Sequence, residues 1–210
     1  DLLDHQQKHV CVYCDWHDDF VVERGDPPTR YVFHQVKGRK TGLGAWKFLD
    51  FFGLTKRESP DIPAKVTFSR KAIVPLMLLH HDNFQAGCEG LAFVTNTGIE
   101  PQLESFMNAL KLASGLTDLA GPERIAFDYI AKAYLVGKKP LAPSADALFD
   151  RIRGISLWLD EGHLDDENVA IRELVELIHT YSEIDLSYFQ SRNIARDIIQ
   201  KVRVKAHHDR

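Results

Sequence analysis

Asp18-Asp19-Phe20-Val21-Val22-Glu23 and, seven residues further on, Tyr31-Val32-Phe33-His34-Gln35-Val36-Lys37 are the two runs whose reading decides the fold. Both are dense in β-branched and aromatic residues, the composition of short strands. Between them Arg24-Gly25-Asp26-Pro27-Pro28-Thr29-Arg30 carries the glycine and prolines of a turn. The pair predicts a β-hairpin. Residues two apart on a strand share a face. Asp19, Val21 and Glu23 then fall on one side of the first strand, and Phe33, Gln35 and Lys37 on one side of the second. A carboxylate, an amide oxygen and a lysine amine converge near one point. Val32 and Val36 are expected to face the core, leaving Gln35 and Lys37 on the other face. A polar pair beside a strand buried on both sides is costly, and makes sense mainly at a site.

These residue types suit one chemistry. Oxygen donors fit Mg²⁺, which keeps several waters and takes only one or two protein carboxylates. The ion can polarise a phosphodiester and supply a hydroxide nucleophile. A lysine beside it can orient or deprotonate the water, or hold the phosphate as a point charge. Asp19 followed by Gln35-x-Lys37 on the next strand resembles the PD-(D/E)xK nuclease signature in its Gln-for-Glu form. The wider order, "DDFVVE…FHQVKGRK", then a helix with Trp46, then "LAFVTNTG", resembles the double-stranded-DNA endonuclease domain of CBASS anti-phage effectors. The named motifs span roughly residues 15 to 100.

The resemblance implies an α/β fold with a restriction-endonuclease-like mixed central sheet flanked by helices, and a mostly helical C-terminal half. It implies a metal-dependent endonuclease for double-stranded DNA in bacterial anti-phage defence. Asp19 would hold Mg²⁺, with Mn²⁺ able to substitute, and Asp18 is the alternative ligand if the strand register shifts by one. Gln35 would give an amide or water-mediated metal contact, and Lys37 would orient the attacking water. Glu23, two pleats along, ranks below them. The resemblance also implies a fused or associated sensor of a cyclic oligonucleotide, homo-oligomerisation on activation, and a cytoplasmic setting. The glutamine in place of the usual acid weakens metal affinity. It keeps open a competing reading, a catalytically inactive nuclease-fold module for nucleic-acid binding or assembly. A small-molecule hydrolase using the same sheet edge lacks a nucleophile–base pair.

Composition sets the bounds. The 210 residues are 44% hydrophobic and 27% charged, an ordinary globular balance. They fit a single nuclease-like domain, with a core over about residues 10–115 and a helical extension over about 116–210. The chain starts at Asp1 without an initiator Met and is expected to be an excerpt of a longer multidomain protein. No apolar run reaches membrane-spanning length. A net charge of −4 is not that of a constitutive nucleic-acid binder, so DNA contacts are expected from local basic patches. Arg39 and Lys40 in the glycine-rich stretch after Lys37 are the candidates for phosphate contact, with the basic C-terminus behind them. Cys11, Cys14 and Cys88 read as buried free thiols in a reducing compartment. A zinc site joining them to His80 or His81 lacks the second C-x-x-C that such sites usually have.

The remaining elements follow from periodicity. Strands are expected over Val10–Tyr13, 91–95 and 155–159. A short helix over 45–52 turns Trp46, Leu49 and Phe51 or Phe52 inward and ends at Gly53. A loop over 58–63 precedes a helix over 64–84, kinked at Pro75. Thr95 and Asn96, past the carboxyl end of a buried strand, read as a structural turn. Helices follow over 101–114, over 123–136 with Ile125, Tyr129, Ile130 and Ala133 inward, and over 145–153 capped by Ser144. The last two begin at Asp165-Asp166 and at Asp185, the final one with Ile194, Ile198 and Ile199 inward.

Overall fold

A computed structural model of the chain describes residues 10–14, 19–25, 28–39, 43–59, 62–159, 167–181 and 186–208. Asp18, Lys40, the polar N-terminal segment 1–9 and the helix-opening Asp165, Asp166 and Asp185 lie outside the described residues. The fold is α/β. Strands β1 (Val10–Cys14), β2 (Phe20–Arg24), β3 (Arg30–Val36), β6 (Cys88–Val94) and β7 (Ile155–Trp158) form one mixed sheet in the order β1-β2-β3-β6-β7. β1, β2 and β3 are an antiparallel meander, whereas β3, β6 and β7 are parallel. The expected hairpin is thus the spine of the sheet.

Parallel strands need a crossover. The one between β3 and β6 holds helix α1 (Phe48–Phe52), a two-stranded ribbon of β4 (Leu54–Ser59) and β5 (Ile62–Phe68), and helix α2 (Ile73–Phe84). The ribbon replaces the expected 58–63 loop and the first part of the expected 64–84 helix. Lys65-Val66-Thr67-Phe68 alternates polar with apolar, and its inward set belongs to a strand rather than to a helix that starts at 64. Pro75 causes no kink. It sits in the first turn of α2, where a missing N–H has no partner to lose. Gly53 ends α1 in the left-handed conformation, φ 63°. A Cβ there would stand 2.2 Å from the Ala72 Cβ, so both the backbone angle and the close approach demand glycine.

The core lies on the Val21–Phe33 face of the sheet. Val21 and Phe33 are fully buried and Gln35 is 5% exposed, while Val32 and Val36 are only half-buried. This corrects the expectation that Val32 and Val36 would face the core. The cause is α2, which packs on the Phe33 face: His80 stacks on Phe33 at 4.1 Å and Phe84 lies 4.7 Å from it. Phe48, Phe51 and Phe52 of α1 fill the same core against Phe93 and Phe106. Each such ring contributes roughly 1.5–3 kcal/mol by burial. Leu49, expected inward, is 50% exposed because those three phenylalanines take the buried side of so short a helix.

Helices α3 (Pro101–Leu112), α4 (Gly121–Tyr134) and α5 (Ala145–Arg153) complete this core. Ser144 caps α5, accepting from the Ala147 N–H at 3.2 Å, as its position predicts. In α4 the buried face is Phe127, Ile130, Ala133 and Tyr134; Ile125 is 72% exposed, so the expected stripe is rotated. α6 (Glu167–Tyr181) and α7 (Tyr188–His208) pair with each other around Ile171, Val175 and Ala195. Ile194 and Ile198 are about 40% exposed, since the buried line of α7 runs instead through Ser191 and Ala195. Ser187 and Gln190 form a reciprocal cap at the start of α7.

Candidate active site

Asp19 immediately precedes β2. The register pairs Phe20 with His34 and Val21 with Phe33, so Asp19 stands opposite Gln35 at the carboxyl end of β3. Its Oδ2 accepts from the Gln35 amide Nε2 and, at 2.7 Å, from the Val36 backbone N–H. The same oxygen lies 3.6 Å from Lys37 Nζ. The three residues that the strand spacing placed on one face therefore meet at one carboxylate oxygen. Exposure is graded across them. Gln35 is buried, whereas the Asp19 and Lys37 side chains are 39% and 41% exposed. The lysine's own backbone is fixed, its N–H donating to the Val94 carbonyl at 2.9 Å. A half-exposed side chain thus leaves from a rigid origin beside β6.

Glu23 does not join this group. It lies at the other end of β2, opposite Tyr31 and Cys11, and accepts from the Tyr13 hydroxyl. That hydrogen bond to a carboxylate pushes the Tyr13 phenol up to about 12. Asp18, the alternative ligand, lies outside the described residues. Arg39 is occupied internally. Its guanidinium donates to the carbonyls of Leu43, Gly44 and Ala45 and to Asp50, and stacks 3.9 Å over the Trp46 ring. Its side chain is 16% exposed. It therefore closes the glycine-rich connection onto itself. Asn96 holds the same connection from below, accepting from the Arg39 N–H at 2.8 Å and donating to the Arg39 carbonyl at 3.2 Å. Buried Thr95 accepts from the Trp46 indole at 3.0 Å. The turn after β6 thus serves as the floor under the loop that follows Lys37. The roles of Asn96 and of the Val36 N–H leave no mark in the sequence, because both depend on pairing with distant segments.

The cysteines cannot share a zinc ion. Cys11 pairs across to Glu23, Glu23 to Tyr31, and Tyr31 to Cys88, so the two thiols lie in one row with two strands between them. At strand spacing that is roughly 14 Å, far beyond a common tetrahedral ion. Cys11 is exposed rather than buried, and burial pushes the half-buried Cys88 thiol up to about 11, an inert state.

The donor set at Asp19 fits a hard, hydrated dication. One partly exposed carboxylate and one carboxamide are what the described residues offer, and Mg²⁺ takes few protein ligands and fills the rest with water and phosphate oxygens. Among the described residues no group of three or more His, Cys, Asp or Glu side chains could hold an ion by itself. Asp19 and Lys37 form a partly exposed rim at the end of β3. A cavity of about 700 Å³ elsewhere, lined by Phe48, Leu49, Glu100, Ile125 and Tyr129 among others, contains none of Asp19, Gln35 or Lys37. Among the described residues no helix is long and apolar enough to cross a membrane.

Comparison with curated proteins and with solved structures finds no match. The family model described as "Cap4, dsDNA endonuclease domain" matches residues 1–206. With nearly the whole chain matched and the Asp19–Gln35–Lys37 cluster at the rim of a mixed sheet, the chain belongs to the Cap4 double-stranded-DNA endonuclease domain family, the effector domain of CBASS anti-phage defence.

Proposed function

We propose that this domain is an active, metal-dependent endodeoxyribonuclease whose reaction centre is Asp19, Gln35 and Lys37. The observation that carries the reading is the convergence of Gln35 Nε2, the Val36 N–H and Lys37 Nζ on Asp19 Oδ2. Asp19 and Gln35 would hold Mg²⁺, or Mn²⁺ in its place. The ion supplies Lewis acidity toward the scissile phosphate and lowers the pKa of a bound water. The chain's own residues do the rest. The Val36 N–H fixes the carboxylate, Gln35 orients it from the buried side, and Lys37 orients the water or steadies charge on the phosphate oxygens. Arg39 supports this rim by holding the loop after Lys37, and Lys40 in that loop contacts DNA phosphate. The domain acts on duplex DNA in the cytoplasm. It works with a fused or associated sensor and as a homo-oligomer once activated, as the family resemblance implies.

One observation favours the rival reading of an inactive binding module. The amide of Gln35 donates to Asp19, which leaves a single carboxylate where two would hold the ion more firmly. The deciding experiment is cleavage of linear duplex DNA by the protein with Mg²⁺, Mn²⁺ or EDTA, alongside Asp19→Asn. The nuclease reading expects cleavage that needs the ion and is abolished by Asp19→Asn, together with loss of Mn²⁺ binding by calorimetry. DNA binding without metal uptake or cleavage establishes the inactive module instead.

A further inference from the structure

Gly38 follows Lys37, and glycine constrains a backbone less than any other residue. A lysine that must aim its ammonium at one carboxylate oxygen needs its backbone held on both sides. On the strand side the Lys37 N–H donates to the Val94 carbonyl at 2.9 Å, one step past the last register pair, Val36 with Val94. Beyond Gly38 the next rung is built from a side chain. The Asn96 carboxamide accepts from the Arg39 N–H at 2.8 Å and donates to the Arg39 carbonyl at 3.2 Å. A carboxamide carries one acceptor and donors on a neighbouring atom, as a peptide unit does. It extends the parallel pairing past the ends of both strands.

Asn96 projects from a fixed stretch of backbone. Thr95 before it is fully buried, its N–H donating to the Trp158 carbonyl of β7 at 3.0 Å and its hydroxyl accepting from the Trp46 indole at 3.0 Å. Val94 before that carries the carbonyl that holds Lys37.

The far end of the glycine-rich connection is tied down separately. The Trp46 N–H donates to the Gly98 carbonyl at 3.0 Å, and the Trp46 carbonyl accepts from the Glu100 N–H at 2.9 Å. The Glu100 carboxylate in turn accepts from the Phe48 N–H at 2.5 Å, at the start of α1. The Arg39 guanidinium reaches Leu43, Gly44, Ala45 and Asp50, all within the connection and the helix it enters. Among the described residues, the tie to the sheet nearest Lys37 on its C-terminal side is therefore the Asn96 carboxamide.

We propose that Asn96 is a positioning residue for DNA cleavage: by pinning the Arg39 backbone it fixes the direction in which Lys37 leaves the end of β3. The proposal rests on the reading of Lys37 as a reaction-centre lysine. A small rotation at the Lys37 backbone is carried out along a four-carbon stem to the ammonium, which lies 3.6 Å from Asp19 Oδ2. A displacement of about 1 Å at a reacting group can lower a rate on the order of 10²-fold. Asn96 hydrogen-bonds to Arg39 rather than to Asp19 or Gln35, so its loss should slow the chemical step and leave ion binding in place.

The test compares wild type, Asn96→Ala, Asn96→Asp, Lys37→Ala and the Asn96→Ala/Lys37→Ala double variant. Single-turnover cleavage of linear duplex is measured in Mg²⁺, Mn²⁺ binding by calorimetry, duplex affinity by anisotropy in EDTA, and amide hydrogen exchange by mass spectrometry. Asn96→Ala should cleave about 10–10²-fold more slowly, with Mn²⁺ and duplex affinities within about twofold of wild type. Asn96→Asp keeps the acceptor for the Arg39 N–H and should cleave at an intermediate rate; it decides the matter if the alanine variant does not fold. Because Asn96 acts through Lys37, adding Asn96→Ala to Lys37→Ala should slow cleavage by less than about threefold more. Exchange should rise in peptides covering residues 37–39 and stay slow over 46–52. Wild-type rates in both Asn96 variants overturn the positioning role, as does the same fractional loss in the Lys37→Ala background as in wild type. Lost protection over 46–52 also overturns it, since Asn96 would then hold up the whole connection. Each of these leaves the nuclease reading intact. A wild-type protein that cleaves no duplex with Mg²⁺ or Mn²⁺ overturns both.

Discussion

On the proposed assignment, replacing Lys37 by alanine should separate catalysis from folding at this site. The ammonium lies 3.6 Å from Asp19 Oδ2, with both side chains about 40% exposed. Bare Coulomb energy at that distance is about 1–5 kcal/mol for effective dielectric constants between 80 and 20. Solvation and side-chain entropy offset most of it, and exposed pairs of this kind measure about 0.2–1 kcal/mol. Alanine keeps the backbone N–H that donates to Val94 and opens no cavity, since the lysine side chain is not packed in the core. The melting temperature should therefore fall by no more than about 2–4 °C, the shift expected of a domain this size for 1 kcal/mol. Cleavage should fall far more. One preorganised charge aimed at a reacting phosphate is worth about 3–4 kcal/mol, a rate loss on the order of 10²–10³. The assay is single-turnover cleavage of linear duplex in Mg²⁺, with thermal melts on the same preparations. A variant that melts like wild type and cleaves within a few-fold of it refutes the catalytic assignment of Lys37. A fall in melting temperature beyond about 10 °C would instead show a structural lysine.

Three further outcomes are expected. Gln35→Glu sets a second carboxylate in a buried position against Asp19. Its melting temperature should drop in EDTA and recover with Mn²⁺ by more than wild type gains, measured by scanning fluorimetry; indifference to metal contradicts the ion site. Trp46→Phe removes the donor to the fully buried Thr95 hydroxyl, costing about 1–3 kcal/mol. An unchanged denaturant midpoint would show that this hydrogen bond holds nothing together. His81 is held down to about 4 by burial, with the Arg151 guanidinium adding to it and Asp82 opposing. The unfolded chain takes up this proton first, so the stability contributed by neutral His81 is full above about pH 6.5 and declines toward pH 4. His81→Asn should flatten the pH dependence of stability in that window, and an identical profile in both proteins removes His81 as its source.

The hairpin and its cluster are legible in the sequence because they depend on nearest neighbours in the chain. Two β-rich runs, a Gly/Pro turn and a period of two fix which of Asp19, Gln35 and Lys37 share a face. Which face is buried is a tertiary matter. Val32 and Val36 look more core-like than Gln35, yet α2 docks on the Phe33 side, and the amide is buried because it is hydrogen-bonded to Asp19. The ribbon escapes a reading by periodicity because apolar residues from Phe68 to Leu79 fit a helical period that runs across the Ser69–Ala72 break. Arg39 resembles a phosphate ligand by composition. Its carbonyl partners are backbone atoms, which no residue pattern announces.

The parallel pairing of β3 with β6 sets the order in which the molecule can assemble itself. The β2–β3 hairpin closes over a short turn and can form within microseconds. The β3–β6 pairing joins residues 31–36 to 88–94, and the chain between them must first be drawn back on itself. Until it is, the Lys37 N–H has no Val94 carbonyl to hold it and Asn96 is not yet in place under the following loop. As the chain leaves the ribosome, Asp19 and Gln35 can meet early, but the lysine gains its fixed origin only after β6 has been made. A nascent fragment ending before β6 would carry every residue of the cluster without the Val94 carbonyl and the Asn96 side chain that hold the chain at Lys37 and Arg39.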